Sequence, residues 1–234
     1  MTGTLLNIAT VLIGGFIGLF FGARISERFK STVIAGMGLF TFAMGVQMFF
    51  KTENSLIVLG ALLIGALLGE WWRIEDGLRN LGGRLEKRFA RDESPEGSAR
   101  FVRGFLTASL LFCVGPIAIL GSIQDGLSGD YNLLAVKSVL DGFAALAFAS
   151  TLGVGVLFSS LIILVYQGGI SLLAGALSTI VTDAMMAEMT ATGGVILMGL
   201  SISSLLEIKP IRVENFLPAL VVAPLIVWII SLFP

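Results

Sequence analysis

The chain alternates long apolar runs with short polar connections, and this alternation is its dominant pattern. Most runs approach the roughly 20 residues that an α-helix needs to cross a bilayer. Eight runs occur, at about 4–22, 32–50, 55–72, 101–121, 133–152, 156–177, 190–206 and 215–233. A transmembrane β-barrel would instead show alternating segments of about 10 residues, a pattern that the sequence lacks. The chain is therefore predicted to be an all-α, polytopic membrane protein with seven or eight transmembrane segments, some of them broken or re-entrant.

One hydrophilic stretch, 73–100, separates two apolar halves of what we predict to be a single membrane domain, 1–234. Its apolar residues recur at helical spacing and share one face: Ile74, Leu78, Leu81, Leu85 and Phe89. This pattern indicates an amphipathic helix lying on the membrane surface. The sequence "DESPEGS" at 92–98 then predicts a flexible linker. A second interpretation is that the 73–91 helix docks a partner protein.

The distribution of basic residues predicts the orientation, because Lys and Arg concentrate in cytoplasmic loops. With both termini outside, 13 of the 15 Lys and Arg residues fall on the cytoplasmic side. The 73–100 stretch is then cytoplasmic. The 133–177 stretch carries only two charges, so it is either two spans turning at 151–158 or a re-entrant hairpin. Both alternatives preserve the predicted sidedness.

Composition narrows the function classes. Only 13% of the residues are charged, against roughly 25% in a soluble domain. The net charge of −1 predicts no nucleic-acid partner. The chain has no histidine and a single cysteine, and no P-loop or G-x-S-x-G motif occurs. We therefore expect no enzymatic activity, no catalytic residue and no cofactor, while the sequence leaves metal binding undetermined.

Asp141 is the strongest candidate for chemistry, because it lies near the middle of the 133–152 segment. An acid at the bilayer centre costs roughly 2.5–3.5 kcal/mol and usually has a function. The alternative is a structural salt bridge with Lys137, four residues earlier on the same helix face. Lys137 lies nearer the predicted outer end, so its side chain has a second option, which is to extend to the interface.

A helix breaker marks the second candidate. Gly115 and Pro116 interrupt the 101–121 segment, and the proline clashes with the carbonyl of Phe112. Discontinuous helices of this kind form substrate sites in transporters, although a kink absorbed by packing is the simpler interpretation. Beyond the break, Gln124 and Asp125 either end the helix at the surface or line the mouth of a pathway. Gln167, central in the sixth segment, is a further pathway candidate.

The stretch "FVRGFLTASLLFCVGPIAILGSIQDGLSGDYNLLAVKSVLDGFAALAFASTLGVGVLFSS" resembles the domain-of-unknown-function 554 (DUF554) family, the YqgA/YdfK-like bacterial membrane proteins. "GTLLNIATVLIGGFIGLFFG" and "LLGEWWRIEDGL" fit the same family. The resemblance covers almost the whole chain, and the "CVGPIAILGSIQDG" block is specific. It implies a multi-spanning protein of the bacterial inner membrane and supplies no catalytic residues.

Our hypothesis is a small secondary transporter or ion-conducting protein that moves a proton, a cation or a small solute. The route would contain Asp141, Lys137, Gln124, Asp125 and Gln167, with the break at Gly115 and Pro116 offering backbone carbonyls. The alternative is a non-transporting membrane scaffold that binds a partner through the 73–91 helix. The glycine-rich helices also permit a homo-oligomer.

Overall fold

The protein, seen in a computed structural model that describes residues 1–22, 26–89, 95–114 and 116–232, is all-helical within those ranges. The helices are α1 (Thr2–Gly22), α2 (Glu27–Phe49), α3 (Ser55–Trp72), α4 (Ile74–Phe89), α5 (Pro95–Cys113), α6 (Pro116–Ser128), α7 (Asn132–Leu152), α8 (Gly155–Leu172), α9 (Ala174–Leu177), α10 (Asp183–Leu200) and α11 (Ala219–Ser231). A π-helical turn, Ser201–Leu205, extends α10, and a 3-10 turn, Val213–Phe216, precedes α11.

Seven helices of the described ranges are long and apolar enough to cross a membrane alone, and an eighth crossing arises if α5 and α6 count as one bent span. The seven are Thr2–Gly22, Ser31–Phe49, Ser55–Trp72, Asn132–Leu152, Gly155–Leu172, Asp183–Leu205 and Val213–Ser231. The prediction of an all-α protein with seven or eight transmembrane segments is confirmed.

The predicted break between α5 and α6 is present, and the two helix axes differ by 64°. Pro116 is the first residue of α6, a position where proline's missing N–H costs nothing. Gly115 lies outside the described residues. The break therefore coincides with the proline, as its chemistry requires.

Two boundaries differ from the prediction, and the 133–177 stretch follows the first of its two predicted alternatives, two spans turning at 151–158. Residues 95–98 belong to α5 and not to a linker, because a proline suits the first turn of a helix; 92–94 lie outside the described residues. The 133–177 stretch forms two separate helices, α7 and α8, which turn at Gly153 with φ of 82°. Helix α10 begins at Asp183 and not near 190, because the Thr182 side chain accepts a hydrogen bond from Met185 N and caps it.

The helices group into two compact units, and each unit takes segments from both sides of the 73–100 stretch. Unit 1 comprises Met1–Ile34 and Arg79–Thr179, and unit 2 comprises Ala35–Leu78 and Ile180–Pro234. Within unit 1, α7 packs along α1, and α8 packs against α5. Within unit 2, α11 packs against α3 and α10. The two units are therefore defined by contacts between helices that are distant in sequence. They do not correspond to the two sequence halves on either side of the 73–100 stretch.

Helices α1 and α7 run parallel and make backbone-to-backbone contact. A Cβ atom added at Gly14, Gly18 or Gly22 would overlap the carbonyl oxygen of Gly142, Leu146 or Ser150 respectively. The partner position advances by four residues with each step of four along α1, which is what parallel helices require. Small residues at this spacing let helix backbones approach in a membrane. The α1 glycines therefore fix the distance between the two helices.

Helices α3 and α11 use the same device in unit 2. A Cβ atom at Gly65 would lie 2.5 Å from the backbone nitrogen of Ala219, and one at Gly69 would overlap the carbonyl oxygen of Asn215. Here the partner number falls as the glycine number rises, so α3 is antiparallel to the chain entering α11. The four-residue glycine spacing shared by α1 and α3 serves close packing in both.

We expect Gly18→Ala to destabilise the protein by about 1–3 kcal/mol, because the added methyl group has no room beside the Leu146 carbonyl. Gly36→Ala is the matched control, since nothing lies within 4 Å of a Cβ atom there. Thermal unfolding of purified protein in detergent measures both. Equal stability of the two variants would contradict the packing of α1 on α7.

Candidate functional site: a buried polar cluster in unit 1

Four polar side chains and one backbone carbonyl meet in the interior of unit 1. The Asp141 carboxylate forms an ion pair with Lys137 and accepts a hydrogen bond from Asn7 Nδ2 at 2.9 Å. Asn7 Nδ2 also lies 3.3 Å from Gln167 Oε1, and Lys137 Nζ donates to the Phe112 carbonyl at 2.7 Å. We call this group, formed by Asn7, Phe112 O, Lys137, Asp141 and Gln167, the Asp141 cluster.

The cluster draws on four helices, and the packing of α1 against α7 sets its geometry. Lys137 and Asp141 stand one helical turn apart on α7, so their side chains meet. Gly14 brings α1 onto α7 at Gly142, and Asn7 lies two turns earlier on α1, where it reaches Asp141. Helix α5 supplies the Phe112 carbonyl and α8 supplies Gln167. The residues are distant in sequence and adjacent only in the fold.

The Phe112 carbonyl is free because of the helix break. In an unbroken helix it would accept the N–H of residue 116, but proline has no N–H and its ring clashes with that carbonyl. Lys137 takes the position of the missing donor. A backbone carbonyl without a partner costs several kcal/mol in the hydrocarbon core, so the ammonium satisfies a group that the break exposes.

The members of the Asp141 cluster are nearly inaccessible to solvent. Asn7 and Gln167 have no exposed surface, and Lys137 and Asp141 are each 8% exposed. Lys137 therefore points inward and does not extend to the membrane interface. Its ammonium and the Asp141 carboxylate carry opposite unit charges, so this pair has no net charge. The structural salt bridge that the sequence left as an alternative is formed.

Several buried polar atoms near this cluster lack a hydrogen-bond partner among the described residues. Within the cluster these are Asn7 Oδ1 and Gln167 Nε2. On the side where α1 begins they are Thr4 Oγ1 and Asp125 Oδ1. Leaving such an atom unsatisfied costs about 1–3 kcal/mol, so each is a position where water or a ligand gains a hydrogen bond.

The other predicted pathway residues divide between buried and exposed positions. Asp125 is buried, and its Oδ2 accepts from Gly3 N and contacts the Met1 amino group, each at 3.0 Å. It thus satisfies a free amide at the start of α1 and does not merely end α6 at a surface. Gln124 is exposed and outside the cluster. Pro116 contributes through the carbonyl that it frees, and Gly115 is not among the described residues.

The family model described as "Protein of unknown function (DUF554)" matches residues 2–228, a range that contains every member of the cluster. The chain belongs to the DUF554 family. It is 30% identical over 221 residues to the "Uncharacterized protein YqgA" of Escherichia coli (strain K12), and the match covers 94% of each chain. It is 28% identical over 237 residues to the "Uncharacterized membrane protein YdfK" of Bacillus subtilis (strain 168), covering 100% of this chain and 98% of that relative.

No solved structure matches the chain significantly. The full-length match to a relative that is named as a membrane protein agrees with the seven apolar helices of the structure. The chain is an integral membrane protein.

Sequence analysis did not single out Glu188, which precedes the predicted 190–206 segment. The residue lies inside α10 and is 2% exposed. Its carboxylate accepts hydrogen bonds from Thr52 Oγ1 at 2.6 Å, Glu53 N at 2.8 Å and Asn54 N at 2.9 Å. It therefore ties the α2–α3 connection of unit 2 to α10. The available sequence signal was a capping threonine, Thr182, followed six residues later by the acid Glu188.

The Lys137→Met variant should lose about 3–5 kcal/mol of stability, because it leaves the Asp141 charge buried without its partner. Part of this loss should return in Lys137→Met combined with Asp141→Asn, which removes the uncompensated charge. Lys51→Met is the control, since Lys51 is exposed. Thermal unfolding tests the set, and a Lys137→Met variant as stable as the Lys51→Met variant would refute the ion pair.

For Glu188→Ala we expect a loss of at least about 2 kcal/mol, because three donors lose a charged acceptor. Asp183→Ala is the comparison on the same helix. Asp183 is exposed in the first turn, so its removal should cost less than about 1 kcal/mol. Chemical or thermal unfolding of both variants measures the difference, and the reverse order would argue against the capping role.

Proposed function

We propose that this protein is a small secondary transporter or ion-conducting protein of the bacterial inner membrane, moving a proton or a small cation along a route that contains Asp141. The observation that carries the proposal is the Lys137–Asp141 ion pair, buried near the middle of the membrane-length helix α7 and joined to the broken α5–α6 pair. Charges at this depth are expensive and mark ion and proton pathways.

The energetics favour a functional interpretation of the pair over a purely structural one. Replacing a buried ion pair with well-packed apolar residues is often neutral or stabilising. A helix that needed only to pack would therefore gain little from Lys137 and Asp141. A site that must change its charge state needs an ionisable pair, because one proton added to an Asp141 oxygen forms an O–H bond and breaks the ion pair.

The polar atoms around the Lys137–Asp141 ion pair support an ion route through this region and not an isolated salt bridge. Gln167 Nε2 and Asn7 Oδ1 have no partner among the described residues, and Thr4 Oγ1 and Asp125 Oδ1 extend this set toward the start of α1. Water hydrogen-bonded to these atoms would connect Asp125 with Asp141. The proposed route therefore contains Asp125, Gln167, Lys137 and Asp141, and it leaves out the exposed Gln124.

The proposal places both termini outside and includes no catalytic step. The parallel packing of α1 and α7 supports the relative direction of these two helices, since both then run from outside to inside. The concentration of 13 of 15 basic residues on the other side supports the absolute direction.

The test is reconstitution of the purified protein into liposomes under a pH gradient or a cation gradient, with internal dyes that report the ion. Asp141→Asn should reduce the flux to that of protein-free liposomes, because the amide cannot carry the charge. Since this variant leaves the buried Lys137 ammonium unpaired, its folding is checked by gel filtration. Lys137→Met combined with Asp141→Asn, which leaves no unpaired charge, should be equally inactive. Asp183→Asn, the same change at an exposed acid, should leave the flux intact.

Flux that survives in Asp141→Asn would remove Asp141 from the route. No flux in wild-type protein with any gradient would count against transport altogether. The scaffold hypothesis, with partner binding through the 73–91 helix, would then be the better account.

A further inference from the structure

We infer that the Lys137 ammonium occupies a binding site for a monovalent metal cation, and that it closes this site to metal cations in wild-type protein. The first half concerns binding alone. The second half rests on the proposed function, whose failure the experiment below detects separately.

The atoms around Lys137 Nζ are those that a hard cation selects. Nζ lies 2.7 Å from the Phe112 carbonyl oxygen and is paired with a carboxylate oxygen of Asp141. Backbone carbonyls and carboxylates are the oxygen ligands of alkali and alkaline-earth cations in proteins and ion pathways. The Phe112 oxygen is available because Pro116 gives it no helical donor. A helix interrupted near a buried acid thus creates this ligand pair.

Two amide side chains of the Asp141 cluster carry further oxygens. Asn7 donates from Nδ2 to Asp141 Oδ2 at 2.9 Å. Its Oδ1 is buried and has no partner among the described residues, and an amide oxygen is a good cation ligand. Among the described residues, Gln167 Oε1 accepts a hydrogen bond only from Asn7 Nδ2, at the long distance of 3.3 Å. Each of these two oxygens can therefore accept a further contact.

Charge selects a monovalent occupant. Asp141 contributes one negative charge and Lys137 one positive charge, so a monovalent cation replaces the ammonium without changing the net charge of the site. A divalent cation would leave an excess positive charge in a low-dielectric interior, which is costly. The Lys137 side chain is 10% exposed, so its truncation leaves a largely enclosed space.

The same arrangement explains why wild-type protein admits no metal cation at this position. A metal cation cannot enter beside a fixed ammonium, because two like charges would share one carboxylate. Lys137 is therefore the residue that determines ion specificity.

The experiment compares thermal unfolding of purified wild type, Lys137→Ala and Lys137→Met in NaCl, KCl or LiCl against choline chloride of equal ionic strength. In Lys137→Ala the vacated space should bind at least one alkali cation and raise the melting temperature by about 5 °C or more at saturation. Wild type and Lys137→Met should show no cation-specific shift, because an ammonium or a thioether fills the space. Lys137→Ala combined with Asp141→Asn should also show none, because the carboxylate is gone.

Each outcome decides the inference. A cation-specific shift in Lys137→Ala alone supports it, as does a Lys137→Ala protein that folds in an alkali cation and not in choline. A folded Lys137→Ala protein insensitive to all three cations overturns it. So does a Lys137→Ala protein that fails to fold in every salt, because no cation then replaces the ammonium.

Wild-type protein in liposomes tests the specificity without any variant. Proton flux with no uptake of radioactive sodium or of a potassium analogue supports the second half of the inference, whereas uptake of either overturns it. Absence of every flux together with a cation shift in Lys137→Ala would refute the proposed function and retain the binding site. The two failures are therefore distinguishable.

Discussion

A membrane interior offers no water to an exposed backbone group, and the arrangement of unit 1 depends on this constraint. Pro116 frees the Phe112 carbonyl, and Lys137 satisfies it. A buried ammonium in turn needs a counter-charge, which Asp141 provides. The carboxylate then needs further donors, and α1 approaches α7 closely enough for Asn7 to supply one, because glycines remove the side chains between the two backbones. One helix break thus accounts for four buried polar positions, one on α5, two on α7 and one on α1.

In both units an acid from another helix accepts hydrogen bonds from backbone amides at the point where a glycine-spaced helix begins. In unit 1, Asp125 accepts from Gly3 N at the start of α1. In unit 2, Glu188 accepts from Asn54 N just before α3. Eleven residues later in each case, at Gly14 and at Gly65, comes a glycine whose added Cβ atom would overlap the backbone of another helix. The first amides of a helix are unsatisfied and carry partial positive charge, so an acid from another helix anchors the end while glycines set the packing farther along.

The sequence predicted the features that follow from local chemistry. The spans follow from apolar run length, the break from Pro116, and the Lys137–Asp141 contact from a spacing of four residues on a helix. It placed Gln167 on the same proposed route, but it did not single out Asn7. Asn7 is one of several uncharged polar residues in the spans, and only the packing of α1 on α7 distinguishes it. Gln124 and Asp125 are neighbours with equal prospects in the sequence, yet the helix turns one outward and the other toward Gly3.

The parallel pairing of α1 with α7 has a consequence for synthesis. Neighbouring spans joined by a short loop are antiparallel, so α1 cannot find this partner in the helix that follows it. More than 100 residues separate Gly22 from Asn132 in the chain. During synthesis α1 therefore enters the membrane with Asn7 exposed and a bare glycine face, and it must wait until α5 and α6 have been made before α7 arrives. Helix α1 thus enters the membrane well before the helix that covers its glycine face has been made.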